Sequence, residues 1–412
     1  MNEMKKRNFQ VLENNEDELA EKRHARNMAI LKVVVFLAII VFCAMAVILL
    51  WLRFRTYDSY EVKEEIKTET LSEAEFYDYG DAVLKVSKNG AIYSTVGGEL
   101  IWNQSYEMNA PIVDICEDYV VIGAQKGTEI YILNKQGLKG KIETTRQIRA
   151  VEVASQGTVA VMTEKNNSYY INLYDTNGDE LVQGEMHIEN SGYPLSMSLS
   201  SDAIKLAVTL VDVSKGQANS TVNFYNFGTV GQNEIDNLVS SYTYEDLVIP
   251  RIQYLNDSKV VAFANGKLLF YAGTQKPEET AVVPVSEEIR SVFYSDKYAG
   301  ITYNVEPDKS ASGDAAKDQQ GEKSLVHEVA VYDLKGKEVM KKQYKADYGN
   351  VEILGNSELI FTLGEKCMIC SMDGVIKYEG KLSQEILKIE QTGVGNEYYV
   401  IFKDKVQKIR LK

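Results

Sequence analysis

The sequence predicts an all-β protein, a β-propeller of about eight four-stranded blades, preceded by one membrane-spanning helix. Three observations carry this reading. Beyond residue 75, short apolar runs of period two alternate with turn residues, with almost no helical periodicity to compete. Polar hairpins ending in glycine recur, and Gly98 to Gly137, Gly137 to Gly178 and Gly336 to Gly374 are separated by 39, 41 and 38 residues, the length of a propeller blade. Ahead of the strands lies an unbroken apolar run, residues 33–52 (VVVFLAIIVFCAMAVILLWL). At ~1.5 Å per helical residue it covers the ~30 Å hydrocarbon core of a bilayer.

Residues 1–32 form a charged tail with Lys5, Lys6, Arg7, Lys22, Arg23, Arg26 and Lys32. Fewer basic residues follow the apolar run, so the positive-inside rule puts the tail in the cytoplasm and the rest outside. The run, residues 33–52, is bounded by Lys32 and Arg53, and Trp51 sits where an indole prefers the membrane interface. Ala44-Met45-Ala46 has the spelling of a cleavage site, but six more apolar residues follow it. Cys43 is preceded by the bulky Phe42 where a lipoprotein signal needs a small residue. An uncleaved anchor is therefore expected, with the lipid bilayer as the partner of residues 33–52. Residues 53–74 are acidic and Tyr-rich and read as a stalk.

Residues 75–412 are the propeller. Its strands include AVLKV (82–86), YVVI (119–122), TVAVM (158–162), KLAVTL (205–210), VVAFA (260–264), ELIF (358–361) and YYVIF (398–402). The glycine hairpins supply the positive φ that a tight turn needs. Repeats begin near Phe76, Pro111, Ile148, Tyr193, Ile249, Ile289, Tyr348 and Ile386. The last has only three strands, so an early strand near Phe76 to Tyr79 is expected to complete it and close the ring, sparing an exposed edge. Seven blades is the runner-up; a pair of β-sandwiches fits the even spacing less well. Residues 306–323 carry no large apolar side chain and read as a surface loop. Residues 231–241 are expected to form a short helix with Ile235, Leu238 and Val239 on one face.

The composition limits the partners. Lys and Arg number 45 against 59 Asp and Glu, a net charge of −14, which argues against nucleic acid. Four cysteines in 412 residues are no disulfide framework.

Little in the sequence spells catalysis. His24, His187 and His327 have no ligand-type neighbours at metal spacing. Cys367 and Cys370 form a CxxC inside a strand, where residues three apart point to opposite faces. Gly393-Val394-Gly395 lacks the third glycine and the helix of a dinucleotide site, and Asp175 to Asp179 (DTNGD) has its glycine too early for a calcium loop. Trp102 is the one tryptophan outside the anchor, too few for a quinone-type propeller. No catalytic, cofactor or metal residue is assigned.

Several stretches carry a resemblance: 102–106 (WNQSY), 189–194 (ENSGYP), 224–228 (FYNFG) and 230–239 (VGQNEIDNLV). Through them the chain resembles the bacterial domain-of-unknown-function family numbered 5711. The resemblance implies a single-pass membrane protein with a short cytoplasmic tail and an exterior propeller-like domain, and implies no activity. More loosely, 199–202 (LSSD) followed by 205–208 (KLAV) is similar to the strand–turn–strand repeat of TolB-type and WD40-like propellers, with Ala203 where glycine is usual.

These readings lead to a non-catalytic binding or scaffold module for an envelope protein or cell-wall component. The contact candidates are Tyr193 in the loop 189–193 and Asn233, Asp236 and Asn237 in the insertion. The alternatives are a signal relay through the helix-prone tail segment 12–27, and an enzyme whose acids, Tyr or His converge in the central channel.

Overall fold

The computed structural model describes residues 16–67, 74–187, 192–214, 216–305, 326–355 and 357–412. The chain divides into two units, Met1–Thr56 and Tyr57–Lys412. In the first, a single helix runs Glu16–Arg53, and its segment Glu21–Ile48 is long and apolar enough to cross a membrane. Its apolar side chains, among them Phe36, Phe42 and Val47, lie exposed all around, and the Arg55 guanidinium sits 4.9 Å from the Trp51 ring.

The second unit is an eight-bladed β-propeller. Each blade is a four-stranded antiparallel sheet. In chain order the blades cover 75–105, 111–143, 147–187, 193–244, 251–284, 289–344 and 350–381; the eighth combines 388–411 with an earlier strand. The first strand of each blade lines the channel; those of blades two to five contact one another in succession, as do those of blades six and seven. The five glycine hairpins read from the sequence are all the turn between third and fourth strands, in blades one, two, three, six and seven. Gly98, Gly137, Gly178, Gly336 and Gly374 all have positive φ there.

Period two appears because each middle strand is covered on both sides. In blade two, Val120 and Ile122 pack toward blade one while Val121 packs toward blade three. Among the described residues there is one apolar cluster per blade–blade interface. Seven of them hold nine to thirteen buried residues, while the cluster joining blades eight and one holds three, Val83, Ile401 and Val406. The seam is thus the interface with least apolar burial, the dominant favourable term elsewhere.

Backbone pairing compensates. The strand Tyr60–Lys67 is the outermost strand of blade eight and runs antiparallel to Lys405–Leu411, with Tyr60 opposite Leu411 and Lys67 opposite Lys405. The Asp58 N–H donates to the Lys412 carbonyl at 3.0 Å and the Lys412 N–H to the Ser59 carbonyl at 2.8 Å. In the channel, Lys388 Nζ lies 3.2 Å from Asp78 of blade one and 2.5 Å from Glu352 of blade seven.

Three expectations need correction. The stretch 53–74 is no stalk, since Tyr60–Lys67 belongs to the propeller. The residues near Phe76 do not complete the last blade: Glu75–Tyr79 is the inner strand of blade one, paired with Ala82–Ser87. The misreading has a cause: Tyr60, Val62 and Ile66 alternate as strand residues, but charged neighbours and a register shift between Val62 and Glu64 break the pattern. Residues 231–241 are no helix either. Two 3-10 turns, Gly231–Asn233 and Ile235–Asn237, are broken at Asp236 (φ 56°), and Leu238 and Val239 enter the outer strand Leu238–Tyr244. The proposed loop 306–323 lies outside the described residues.

Lys388→Met leaves Asp78, Glu352 and Glu390 facing one another and is expected to cost about 3 kcal/mol at pH 8. Burial raises the Glu352 and Glu390 carboxyls above the ordinary range. The native state therefore holds more protons than the unfolded chain, and stability falls as pH rises toward these raised values. The loss of Lys388 steepens that fall, so urea titrations of variant and wild type should converge at acid pH. Ala203 holds φ +56°, a left-handed conformation costly for any residue with a Cβ. Ala203→Gly should raise stability by about 0.5 kcal/mol once the extra flexibility of glycine in the unfolded chain is offset.

Candidate binding site at the channel mouth

All eight inner strands run the same way along the channel, so their C-terminal ends and the turns that follow gather at one mouth. Here lies a cavity of ≈ 560 Å³ built from five blades. Blade two supplies Asp114, Cys116 and Glu117, and blade three supplies Glu152. Blade four supplies Leu199 and Ser201, blade five Gln253, Tyr254, Asn256 and Asp257, and blade six Tyr294 and Asp296.

The register explains the polar lining. Asp114, Glu152, Ser198, Gln253, Glu352 and Glu390 stand opposite Val121, Ala160, Ala207, Val261, Ile360 and Tyr399 respectively. Each of those partners packs toward the following blade, so the six polar residues occupy equivalent positions and form one layer around the channel.

Hydrogen bonds between blades fix the rim. Asp114 Oδ2 accepts the Val153 N–H at 2.7 Å, tying blade two to three. The Ser155 N–H and hydroxyl donate to the Ser201 carbonyl at 2.9 and 2.8 Å, tying three to four. Asp257 Oδ1 accepts from the Ser201 hydroxyl and, at 2.9 Å, from the Asp202 N–H, tying four to five. Ser198 Oγ accepts the Tyr254 N–H at 2.9 Å and Gln253 Nε2 at 3.2 Å. Behind this rim Lys205, 1% exposed, pairs with Asp202 at 2.8 Å.

Burial pushes the Asp114 carboxyl up to about 6, against the pull of the Val153 and Ile115 N–H groups. Burial and the nearby Asp114 raise Glu152 well above the carboxylate range. Burial and the surrounding carboxylates hold the Cys116 thiol up at about 12, so it is no thiolate at neutral pH. Arg251 lies 5.1 Å over the Tyr294 ring and donates to its hydroxyl. Across the channel, Glu390 is pushed up to about 9 by burial and by its hydrogen bond to Asp78.

The contact candidates from the sequence do not converge. Tyr193 starts the inner strand of blade four and pairs with Val211, at one end of the sheet. Asn233, Asp236 and Asn237 follow the third strand, whose end pairs Asn226 with Lys205 at the other. Tyr193, 46% exposed, is therefore on the face away from the insertion. The insertion shares the face of the cavity. It is braced by Lys276 on Glu234 at 2.7 Å and by Asn226 Nδ2 on the Gln275 carbonyl at 2.9 Å, and it presents Ile235, 87% exposed.

His24 is in the N-terminal helix, and His187 ends the outer strand of blade three. His327 is buried, and its Nδ1 accepts from Arg290 at 2.9 Å. Cys367 packs toward blade eight and Cys370 toward blade six, as the strand reading requires. Asp175 accepts the N–H groups of Asn177 and Asp179, both at 2.9 Å, as a turn residue. Among the described residues no three His, Cys, Asp or Glu side chains are placed to share a metal ion.

The family of unknown function DUF5711 matches residues 53–411. The chain belongs to this family. No curated protein matches it. Among solved structures, a eukaryotic initiation factor is similar at 12% identity and TM-score 0.52, covering 84% of this chain and 87% of its own. BamB from Moraxella catarrhalis is similar at 14% identity and TM-score 0.48, covering 86% and 100%. At such identity the initiation-factor likeness speaks for the fold alone, in agreement with the blades of this DUF5711 member.

Asp114 carries its proton in the folded state up to about pH 6, against 3.8 ordinarily. Native stability therefore falls as pH rises through this window, and the cost is complete above it. Asp114→Asn should raise the thermal midpoint at pH 7.5, by an amount that vanishes near pH 4. Paired melts across that range check the sign.

Proposed function

We propose that this DUF5711 member is a membrane-anchored, non-catalytic binding module, its helix in the bilayer, its tail in the cytoplasm and its propeller outside, engaging an envelope protein or cell-wall component. The observation that supports binding is the channel mouth: five blades surround one open cavity, and inter-blade hydrogen bonds hold its rim. A preformed concave site is what a binding platform needs. The hydroxyls of Ser198 and Ser201 are engaged in that bracing and Cys116 is held as a thiol, which leaves the cavity short of an activated nucleophile. The braced insertion adds an apolar contact point on the same face. The basic residues ahead of the apolar run support the orientation.

The test is a cross-linking pull-down from intact cells, with the full-length chain tagged after Lys412 and captured proteins identified by mass spectrometry. An envelope protein should be captured reproducibly, and deletion of residues 2–26 should leave it captured. Capture of nothing sinks the reading. Capture that disappears with the tail, although the protein still inserts, replaces it with the relay.

A further inference from the structure

We propose that the cavity at the channel mouth receives a cationic side chain, the ammonium of a lysine or the guanidinium of an arginine, from a protein partner. The inference rests on the binding reading above and names the chemistry of its ligand.

Three observations lead to it. The first is the wall: Asp114, Glu117, Glu152 and Asp257 face one cavity from blades two, three and five. Among the described residues neither Asp114 nor Glu152 is in an ion pair, and their hydrogen bonds come from backbone N–H groups and Ser198. The second is the resident cation. Arg251 is directed to Tyr294, whose ring it covers and whose hydroxyl it hydrogen-bonds, so it does not clamp either carboxyl. The contrast is with the far side of the channel, where Lys388 is paired directly with Asp78 and Glu352. The third is Tyr254. It lines the cavity and is 6% exposed, and its hydroxyl has no hydrogen-bond partner. A buried hydroxyl left unpaired is costly, and an incoming polar group relieves that cost.

The size and the neighbourhood choose the form of the cation. The cavity of ≈ 560 Å³ has room for a long side chain and part of its backbone. Its carboxyls are spread over separate blades rather than focused on one point, which suits an extended cation with several N–H donors. Ile235 projects from the outer edge of blade four on the same face, and blade four also forms part of the rim through Leu199 and Ser201. A polypeptide that places a basic side chain in the mouth can also cover Ile235; a free polyamine cannot. The acidic net charge of −14 assists the approach.

Calorimetric titration of the full-length chain in nanodiscs tests this, with capped penta-lysine and penta-arginine as probes and penta-glutamate, spermidine and calcium chloride as controls. The basic peptides should bind at low salt and weaken as salt rises. The Asp114→Asn/Glu152→Gln variant should lose about tenfold in affinity and Tyr254→Phe about threefold. A Glu99→Gln/Glu278→Gln variant, with the same formal charge change in the turn before the outer strand of blade one and at the start of the outer strand of blade five, should lose little. Both channel variants remove charge or a hydroxyl without adding bulk, and their thermal melts report whether they fold. Equal losses in the two double variants would reduce the effect to general charge attraction and overturn the proposal, as would failure of the peptides to bind. Binding of spermidine or calcium with equal dependence on Asp114 and Glu152 would also overturn it. If the pull-down captures a partner undiminished by Asp114→Asn/Glu152→Gln, the binding module stands and the cationic ligand falls. If the pull-down captures nothing, the module itself falls.

Discussion

The pairing of Tyr60–Lys67 with Lys405–Leu411 is the contact on which the rest of the molecule depends. A propeller blade is apolar on both faces and reaches its stable state only between two neighbours. Without closure, the ring would leave two blade faces wet and the strand Lys405–Leu411 as an open edge. The seam is also where apolar burial is thinnest, with three buried residues in its cluster. Main-chain hydrogen bonds and the Lys388 ion pairs therefore do at the seam what side-chain packing does elsewhere. The loop they close spans nearly the whole propeller unit, yet closure entropy grows only with the logarithm of loop length. A long ring can be fastened by one strand.

The same geometry creates the channel layer. In the interior of a blade both side-chain directions meet a neighbour, and the residues there are apolar. On the inner strands, the position opposite a residue packed toward the next blade faces the channel instead, and there Asp114, Glu152, Ser198, Gln253, Glu352 and Glu390 stand. Closing the ring brings these six, far apart in sequence, to one level. The raised proton affinities of the layer's four carboxyls follow from that enclosure, because the water each loses in the confined channel outweighs the pull of Arg251 or Lys388 nearby.

Much of the fold was legible from the residues. The five glycine hairpins occupy the same turn in five blades, so their spacing measured the blade directly. The opposite faces of Cys367 and Cys370 followed from strand geometry alone. The clasp was less legible: Tyr60, Val62 and Ile66 do alternate, but Glu and Lys fill the outward positions and the bulge shifts the phase. Edge strands are protected by charge, which hides them from a search for apolar runs. The insertion misled for another reason. Ile235, Leu238 and Val239 have helical spacing, but the left-handed Asp236 and Asn237 break the turn, and Leu238 then pairs with Tyr225 in the sheet. Tyr193 and the insertion lie close in a repeat read as a string; the antiparallel register sends them to opposite faces. The channel layer left only a faint trace, one polar residue in each of three apolar inner-strand runs (IVDI, VEV, VEIL), which becomes a pattern only once the blades are aligned.

The four carboxyls of the layer divide by the cation nearest them. Glu390 on blade eight and Glu352 on blade seven stand beside Lys388, which also reaches Asp78 across the seam, and there the charge holds the ring together. Asp114 and Glu152 stand on blades two and three, whose interface already holds a full apolar cluster and needs no ionic clasp. Their nearest cation, Arg251, is held against Tyr294 on blade six. Buried carboxyls without a direct ion pair are a liability to folding, and removal of such groups is commonly neutral or favourable. Retaining two of them at an open mouth, on a side of the ring braced by inter-blade hydrogen bonds, is the pattern expected where stability has been exchanged for a site. One side of the channel thus works for the fold, and the other is left available to a partner.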